Sequence, residues 1–487
     1  MSNRPETNKQ SCPVYKKCGG CQLQNLSYPE QLEFKQKKVE KLLKRFCTVE
    51  KIIGMKTPYH YRNKVQAAFY TDKKGKIISG VYQSGSHHVV GIDSCQTEDV
   101  IADKIIVAVR KLLPSFRMTT YNEDTGKGFL RHILVKRGFA TNQIMLVLVT
   151  GTPVFPSKNN FVKAILKQFP EITTIVQNIN PYRTNLVLGD NQKVLYGKGY
   201  IEDILCGCRF RISPKSFYQI NPVQTEVLYG KAIEFANFKG NETVLDTYCG
   251  IGTIGIIAAK NGAGNVIGAE LNGDAVRDAI VNARANDLKN IRFYKADAGE
   301  FMREVADEDE KPDVVFMDPP RAGSDRKFLD SLIKMSPKKV VYVSCNPETL
   351  ARDLAYLTQN SPYKAQKIQP VDMFPHTAHI ETVVLLSQLK QKPDDYINVT
   401  IELDDMDVTS AETKVTYDEI KKYVAEHNDG MKVSNLYISQ VKRKCGIEVG
   451  KNYNLPKNED SRQPQCPEDK ERAIVEALEH FKMIQQK

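Results

Sequence analysis

The sequence predicts an α/β protein with a mostly parallel sheet in its carboxyl-terminal half, a mainly antiparallel β region before it and a small helical extension after it. Apolar, β-branched runs at 314–317 and 340–343 stop abruptly at polar residues, which is typical of buried strands. A glycine-rich turn joins a further strand to a helix at 243–259, and short β patterns separated by turns fill 59–212.

Length and charge set the domain organisation. A chain of 487 residues is too long for one hydrophobic core. The net charge of +11 suits a phosphate-bearing partner. No apolar run of about 18 residues exists and the amino terminus is polar, so we expect no membrane span and no secretory signal, and a cytoplasmic monomer. The predicted parts are a cysteine segment and basic helix at 1–98, leading into a central β domain at 59–212, an α/β domain at 213–390 and an extension at 391–487.

Three cysteines are clustered near the amino terminus, in the pattern Cys12-x5-Cys18-Gly19-Gly20-Cys21. Cysteines in a reducing compartment favour metal ligation or catalysis over disulfides. A site closed by protein needs four thiolates, and Cys95 is the nearest plausible fourth. Zinc and a closed iron-sulfur cluster both fit. A radical-generating cluster has a different cysteine spacing.

The next segments predict one helix and then a β region. Residues 28–46 form an amphipathic basic helix whose lysines are expected on a solvated face. The predicted strands of the β region are 64–70, 77–82, 129–135, 144–150 and 175–180, and its predicted helices are 99–113 and 160–169.

The glycine turn, Gly250-x-Gly252-x-x-Gly255, indicates a nucleotide-type ligand. Glycines let a ligand approach the backbone at the start of a helix, and Glu270 ends the following strand where it can hold ribose hydroxyls. This pattern also passes as a dinucleotide fingerprint, so a nicotinamide-linked oxidoreductase is an alternative.

Three further acids favour a different cofactor. Asp246 directly follows a strand, and Asp318 ends another strand before Pro319-Pro320. Both features are common in sites for S-adenosylmethionine (SAM) and are not required by dinucleotide sites. Asp297, at a third strand end, is placed to meet an adenine.

Cys345 follows the strand 340–343 directly, at the strand's carboxyl end. The carboxyl ends of parallel strands face the ligand crevice, so a thiol there can reach a bound substrate. A lone cysteine after an apolar strand is more often a small buried hydrophobe. The neighbouring motifs Asp318-Pro319-Pro320-Arg321 and His379-Ile380-Glu381 favour a nucleophile.

These motifs resemble the RNA uracil-5-methyltransferases, and within that family the iron-sulfur enzymes that make 5-methyluridine in 23S ribosomal RNA. The resemblance runs from about Cys12 to Ser387. It rests on the four cysteines, Phe217-x-Gln219-x-Asn221, the turn from Asp246 to Gly252, Asp318 to Arg321, Ser344 to Pro347, and Glu381.

The resemblance implies a fold, two cofactors and a mechanism. It implies a Rossmann-like class I SAM-dependent methyltransferase domain at 213–390, and Cys345 adding to uracil carbon 6 with Glu381 as the base. The implied cofactor residues are Cys12, Cys18, Cys21 and Cys95 for a 4Fe-4S cluster, and Gln219, Tyr248, Glu270, Asp297 and Asp318 for SAM. The implied partner is RNA, with 23S rRNA first and tRNA as the alternative. A nicotinamide oxidoreductase and a noncatalytic RNA-binding protein are more distant alternatives.

Both ends of the chain depart from the family. Eleven residues precede Cys12, so the small β-barrel RNA-binding domain of many relatives is expected to be absent. Beyond 390, we predict a linker at 392–395, an acidic β-like stretch at 397–408 and a helix-turn-helix-like pair at 416–426 and 434–445. The basic run Lys442 to Lys444 on the second helix is expected to add RNA affinity.

Overall fold

The computed structural model divides the chain into two compact units, Met1–Lys392 and Pro393–Lys487. It describes residues 12–83, 86, 88–184, 186–307, 311–388, 417–445, 447, 466–481 and 483–484. The predicted linker at 392–395 and the acidic stretch at 397–408 lie outside the described residues. No helix in these ranges is both long enough and apolar enough to cross a membrane.

The first unit contains ten α-helices and sixteen strands among its described residues. The helices are α1 (Tyr15–Cys18), α2 (Tyr28–Leu43), α3 (Val100–Leu112), α4 (Lys158–Gln168), α5 (Pro222–Ala236), α6 (Thr253–Lys260), α7 (Gly273–Ala285), α8 (Ala298–Asp307), α9 (Arg326–Met335) and α10 (Pro347–Asn360). The strands are β1 (Lys64–Thr71), β2 (Ile77–Tyr82), β3 (Val89–Gly91), β4 (Leu130–Arg137), β5 (Ile144–Thr150), β6 (Ile172–Ile179), β7 (Asn191–Tyr196), β8 (Ile201–Leu205), β9 (Cys208–Ile212), β10 (Thr243–Asp246), β11 (Asn265–Glu270), β12 (Ile291–Lys295), β13 (Val314–Met317), β14 (Lys339–Ser344), β15 (Tyr363–Val371) and β16 (Glu381–Gln388).

The central sheet has seven strands in the order β3-β2-β1-β4-β5-β6-β7. All neighbours are antiparallel except β5 and β6, so the mainly antiparallel region predicted from the sequence is present. Helices α3 and α4 cover one face of this sheet. Strand β7 and the hairpin β8-β9 are additional to the predicted strands. Most of β7 is exposed, so it lacks the apolar alternation on which strand prediction depends.

The second sheet also has seven strands, in the order β12-β11-β10-β13-β14-β16-β15. The first five strands in this order, β12, β11, β10, β13 and β14, are parallel to one another. Strand β16 runs antiparallel between β14 and β15. Alternate residues of each strand point to opposite faces. Val341 and Val343 therefore pack with α5 and α6, whereas Val340 and Tyr342 pack with α9 and α10. The α/β fold predicted from the sequence is confirmed.

One edge of the second sheet collects the predicted site residues. Strands β10, β11, β13 and β14 end there, at or just before Asp246, Glu270, Asp318 and Cys345. Because β16 is antiparallel to β14, its first residues lie at the same edge, and Thr382 pairs with Ser344. Glu381, which begins β16, is thereby placed beside the end of β14.

Helix α2 attaches the amino-terminal segment to the second sheet. It begins at a capping box made by Ser27 and Glu30, and it ends three residues before the predicted boundary of 46. Lys35 is fully buried and pairs with Asp372 at 2.5 Å. This lysine was expected on a solvated face, and that expectation is wrong because Asp372 supplies a buried counter-charge. The helix packs against α10 and β15, so the segment 1–98 contacts more than the central domain.

The described residues of the second unit form a cluster of three helices, α11 (Tyr417–His427), α12 (Asn435–Lys444) and α13 (Glu468–His480). The predicted pair of helices is present, and α13 is additional and completes their apolar core. In the basic run, Lys442 is buried with its Nζ 4.9 Å from the ring centre of Tyr417, and Lys444 pairs with Glu471 at 2.7 Å. Two of the three cations therefore have partners within the unit, and an RNA role for this run stays a prediction.

Breaking the buried ion pair of α2 is expected to destabilise the first unit. Lys35→Met leaves the Asp372 carboxylate buried without its cation, and such a change costs about 3–5 kcal/mol of the free energy of unfolding. Urea unfolding followed by circular dichroism measures the loss. Lys37→Met is the matched control, because Lys37 forms an exposed pair with Glu33 and its loss is expected to change little. Equal effects of the two substitutions would contradict the prediction.

Candidate active site

A cavity of about 380 Å³ opens at the carboxyl edge of the second sheet, and we call it the Cys345 cavity. It combines a thiol, two carboxylates, a guanidinium, an imidazole and two phenylalanine rings. Its lining residues are Phe217, Gln219, Asp318, Pro319, Pro320, Arg321, Cys345, Phe374, His379 and Glu381. Both residues predicted to be catalytic, Cys345 and Glu381, are among them. The volume is within the usual range of small-molecule sites and is ample for one nucleobase.

The Cys345 thiol lies between the end of β14 and the start of α10. Asn346 caps α10 by accepting from the backbone N–H of Glu348, so the chain turns sharply at Cys345. Burial raises the pKa of this thiol to about 11, and the nearby carboxylates of Glu381 and Asp318 act in the same direction. Arg321 opposes them, because its positive charge favours the thiolate.

Two carboxyl groups of the cavity lie largely in the protein interior, Glu381 with 4% of its surface exposed and Asp318 partly exposed. Burial raises the pKa of Asp318 to about 7. Burial raises the pKa of Glu381 well above its usual range, and the Asp318 charge adds to this rise. These acids favour the neutral form until a positive charge comes close, so the cavity is electrostatically suited to a cationic ligand.

Three further residues belong to this site: His379, which the sequence places in a motif with Glu381 but without a role of its own, and Phe374 and Tyr229, which no sequence motif indicates. Arg321 Nη2 donates to His379 Nδ1 at 3.0 Å, and burial lowers the pKa of His379. Phe374 lines the cavity. Tyr229 is buried on α5, hydrogen-bonds the side chain of Gln219 and lies close enough to Asp318 for that charge to raise its pKa. His379 could have been found from its place beside Glu381, whereas a tyrosine within a helix carries no such signal.

A second cavity of about 340 Å³ adjoins the first, and Pro320 lines both. Tyr248, Glu270 and Asp297 line the second cavity, and Gln219 and Asp318 line the first. The structure therefore distributes the five predicted SAM contacts over two neighbouring cavities. A ligand that occupied both would pass Pro320.

The glycine turn between β10 and α6 is held by carboxylates. Asp246 Oδ2 accepts from the Gly255 N–H at 2.9 Å, and Glu270 accepts from the Gly250 N–H at 3.1 Å. Gly252 has a φ of 83°, and an added Cβ would lie 2.8 Å from the ring of Phe293, so this position requires glycine. Asp246 Oδ1 is buried with no partner among the described residues, and burial raises the pKa of Asp246 to about 7. An unpartnered carboxylate oxygen here suits a positively charged donor.

The four predicted cluster cysteines lie around α1 and in the loop before α3. Burial raises the pKa of Cys21 to about 12, and Cys95, Cys18 and Cys12 each add to the rise, so the other three thiols lie within electrostatic range of Cys21. The described residues nevertheless contain no group of three or more His, Cys, Asp or Glu side chains arranged to hold a metal ion. The cluster therefore remains a prediction.

Comparison with known proteins identifies the family. A family model described as tRNA (Uracil-5-)-methyltransferase matches residues 183–389. An uncharacterized RNA methyltransferase of Bacillus cereus is 43% identical over 80% of this chain and 85% of its own length. One from Clostridium tetani is 44% identical over 78% of this chain and 83% of its own. The chain belongs to the RNA uracil-5-methyltransferase family. The family resemblance seen in the sequence is thus confirmed, and the protein is an RNA methyltransferase.

A solved structure of this family shares the fold. The crystal structure of Pyrococcus abyssi tRNA (uracil-54, C5)-methyltransferase in complex with S-adenosyl-L-homocysteine superposes with a TM-score of 0.64 at 31% identity. The match covers 75% of this chain and 85% of that one. It supports the methyltransferase architecture, whereas closeness to the iron-sulfur members stays a prediction.

Removing the positive or the negative charge beside Cys345 is expected to shift the pKa of its thiol in opposite directions. Arg321→Ala removes a cation and should raise the thiol pKa, whereas Asp318→Asn removes an anion and should lower it. The pH dependence of iodoacetamide alkylation, followed on the Cys345 peptide by mass spectrometry, measures both shifts. Lys327→Ala, an exposed substitution, is the control. Shifts of the same sign would contradict this electrostatic account.

Proposed function

We propose that this RNA methyltransferase transfers the methyl group of SAM to carbon 5 of a uridine, with Cys345 as nucleophile and Glu381 as base. The observation that carries the proposal is the meeting of a thiol and a buried carboxyl group in one cavity. Carbon 5 of uracil is too weak a nucleophile to react directly with a sulfonium. A thiolate that adds to carbon 6 overcomes this by raising electron density at carbon 5.

The first half of the reaction belongs to Cys345. Its Sγ, as the thiolate, bonds to carbon 6 while the electron pair of the 5,6 double bond moves to carbon 5. Carbon 5 would then take the methyl group from SAM, and the electron pair of the broken sulfur–methyl bond would stay on the sulfur as a neutral thioether. Arg321 assists by favouring the thiolate.

The second half belongs to Glu381. After transfer, carbon 5 holds the methyl group and its original hydrogen. The Glu381 carboxylate removes that hydrogen as a proton, and the freed electron pair restores the double bond as the bond from carbon 6 to Sγ breaks. The raised pKa of Glu381 makes it a stronger base than an exposed carboxylate.

The volumes and the carboxyl groups of the two adjoining cavities support SAM as their ligand. When bound, SAM supplies the methyl group and a positive sulfonium charge. We assign Glu270 to the ribose hydroxyls, Asp297 and Tyr248 to the adenine, and Asp318 to the positively charged end of SAM, with Asp246 buried behind the glycine turn. A positive charge next to buried carboxylates lowers their pKa, so these residues and Glu381 ionise more readily in the loaded site.

The variants Cys345→Ala and Glu381→Gln are expected to stop the reaction at different steps. Cys345→Ala should form no covalent RNA adduct, and methyl transfer should fall by orders of magnitude. Glu381→Gln should add and methylate, then stall, because the thiolate leaves only after the proton is removed. The stalled species is a methylated RNA-protein adduct that survives denaturing electrophoresis. An adduct with Cys345→Ala, or wild-type turnover with Glu381→Gln, would rule out the mechanism.

We also propose that Cys12, Cys18, Cys21 and Cys95 hold one structural 4Fe-4S cluster. Four protein thiolates complete the ligation of such a cluster and leave no iron open for chemistry. The electrostatic effect of Cys12, Cys18 and Cys95 on the thiol of Cys21 supports the proposal. The backbone N–H of Cys95 donates to Asp103 Oδ2 at 2.8 Å, which fixes the loop carrying the fourth cysteine.

Metal analysis tests the cluster. Protein purified without oxygen should carry about four irons and four sulfides per chain. Cys95→Ser should lower the iron content, whereas Cys47→Ser should leave it unchanged, because the Cys47 thiol donates to the Gln366 carbonyl, away from the other four. Stoichiometric zinc without iron would overturn the proposal.

The RNA substrate has two candidates. The resemblance of the cysteine pattern favours 23S rRNA, and the similarity to a solved tRNA (uracil-54, C5)-methyltransferase favours tRNA. Deproteinised 23S rRNA and total tRNA, each incubated with labelled SAM, should separate the two, and 5-methyluridine should map to one of them. We expect 23S rRNA to be the labelled species. Label in tRNA alone would show that tRNA, and not 23S rRNA, is the substrate. Label in neither RNA would reject uridine methylation of both.

A further inference from the structure

A further cavity of the first unit lies in the central domain, outside the candidate active site. It has a volume of about 920 Å³, and we call it the His132 cavity. Its walls come from β1, the β2-β3 hairpin, the loop before β4, β4 itself and the loop after β6. Its lining residues are Gln66, Tyr82, Ser86, Glu123, Asp124, Arg131, His132, Arg183, Thr184, Leu186 and Val187.

A β-bulge in β4 shapes this cavity. The register between β4 and β5 shifts between Leu130 and His132, so the neighbours Arg131 and His132 both line the cavity instead of pointing to opposite faces. Bulges next to binding sites commonly redirect side chains in this way.

Arg131 fixes the walls and contributes no free charge. Its guanidinium binds both carboxylate oxygens of Glu123, at 2.9 and 2.7 Å, and donates to the carbonyls of Asn180 and Tyr182. Asn180 in turn donates to the carbonyls of Leu186 and Val187. The cavity is therefore held open by buried hydrogen bonds before any ligand arrives.

His132 carries an unsatisfied polar atom. The side chain is 5% exposed, and its Nδ1 has no hydrogen-bond partner in the described part of the chain. Burial and the neighbouring Arg131 lower its pKa to about 4, so the ring is neutral and offers one donor and one acceptor. The Tyr82 ring meets it edge-on with centroids 5.9 Å apart. Gln66, exposed on β1, adds an amide donor and acceptor to the same cavity.

The His132 cavity lies on the sheet face that leads to the active site. His132, Leu134 and Lys136 alternate along β4 and share a face, and His132 and Lys136 are roughly 13 Å apart at the usual rise of a strand. Lys136 Nζ donates to the carbonyl of Ser216 at 2.8 Å, one residue before Phe217 of the Cys345 cavity. On the far wall, Lys215 pairs with Asp190 at 3.2 Å, which joins the loop after β6 to the same 213–221 segment.

We propose that the His132 cavity binds an unstacked base of the same RNA, a few nucleotides from the target uridine, and reads it through His132 and Gln66. The proposal rests on the proposed function. A uridine drawn out of its stack leaves neighbouring bases without a partner, and single-stranded bases are read by aromatic rings and by hydrogen bonds to their edges. The cavity offers a ring, a neutral imidazole and an amide, and these groups suit the edge of a base. Of its two guanidinium groups, that of Arg131 is paired with Glu123, and that of Arg183 donates to the carbonyl of Asp124.

A double-substitution experiment tests this assignment. The full-length protein first protects an RNA fragment from ribonuclease, and single abasic positions are then placed along that fragment. We expect one position at which loss of the base weakens wild-type binding about tenfold, the usual value of one well-held base. His132→Ala and Gln66→Ala should each weaken the binding of intact RNA by a similar factor. With RNA that lacks the base at that position, each variant should bind as weakly as the wild type does, because the contact is already lost. The salt dependence of binding should be unchanged, because no phosphate contact is lost.

Controls separate the possible causes of failure. Gln192→Ala changes an exposed glutamine on β7 of the same sheet, outside the cavity, and should bind RNA like the wild type. If a lowered melting temperature shows that His132→Ala folds poorly, the RNA affinity of Gln66→Ala decides the test, because Gln66 is exposed. Additive effects at every abasic position, or unchanged affinity of Gln66→Ala together with a folded His132→Ala, would overturn the proposal. Because the readout is binding, a wild type that transfers no methyl group would reject the proposed function and still leave this test in force.

Discussion

The burial of three carboxyl groups at one edge of a parallel sheet is the constraint around which this protein is arranged. Asp246, Asp318 and Glu381 lie deep enough that burial alone raises the pKa of each. Removing a charge from water is costly unless a counter-charge or hydrogen bonds replace the lost solvation. Asp246 accepts a hydrogen bond from the backbone N–H of Gly255, and Asp318 and Glu381 line the Cys345 cavity. A ligand that brings positive charge relieves this cost, so affinity for a cation is built into the unloaded fold.

At the junction between the amino-terminal helix and the second sheet, a buried carboxylate is compensated in a different way. There the buried carboxylate of Asp372 has its cation in the chain itself, and Lys35 also donates to the carbonyl of Phe374 at 3.0 Å. Phe374 lines the Cys345 cavity. Helix α2 therefore supports one wall of the candidate active site although it is far from it in sequence. The cysteine segment that precedes α2 is held near the site through this contact.

Local patterns predicted most of the fold and much of the candidate site. Strand ends could be predicted because apolar runs such as 340–343 stop at polar residues, as they do before Asp318 and at Cys345. Glu381 lies at the other end of its strand, directly before the apolar run of β16. Strand β15 was missed because a bulge between Ala365 and Lys367 interrupts its alternation. Neither the burial of Lys35 nor the turn of Arg131 toward His132 has a local signal. The first depends on a partner 337 residues away, and the second on register with β5.

The antiparallel insertion of β16 has a consequence for motion. A parallel strand in its place would carry Glu381 to the opposite edge of the sheet, about 20 Å from the thiol at the usual strand rise. As built, the two groups adjoin a single hydrogen-bonded ladder, in which Ser344 pairs with Thr382. Hinge motions on the microsecond to millisecond timescale that admit or release a large RNA can displace whole domains. They leave the spacing between thiol and carboxyl group unchanged, because changing it requires the ladder itself to break.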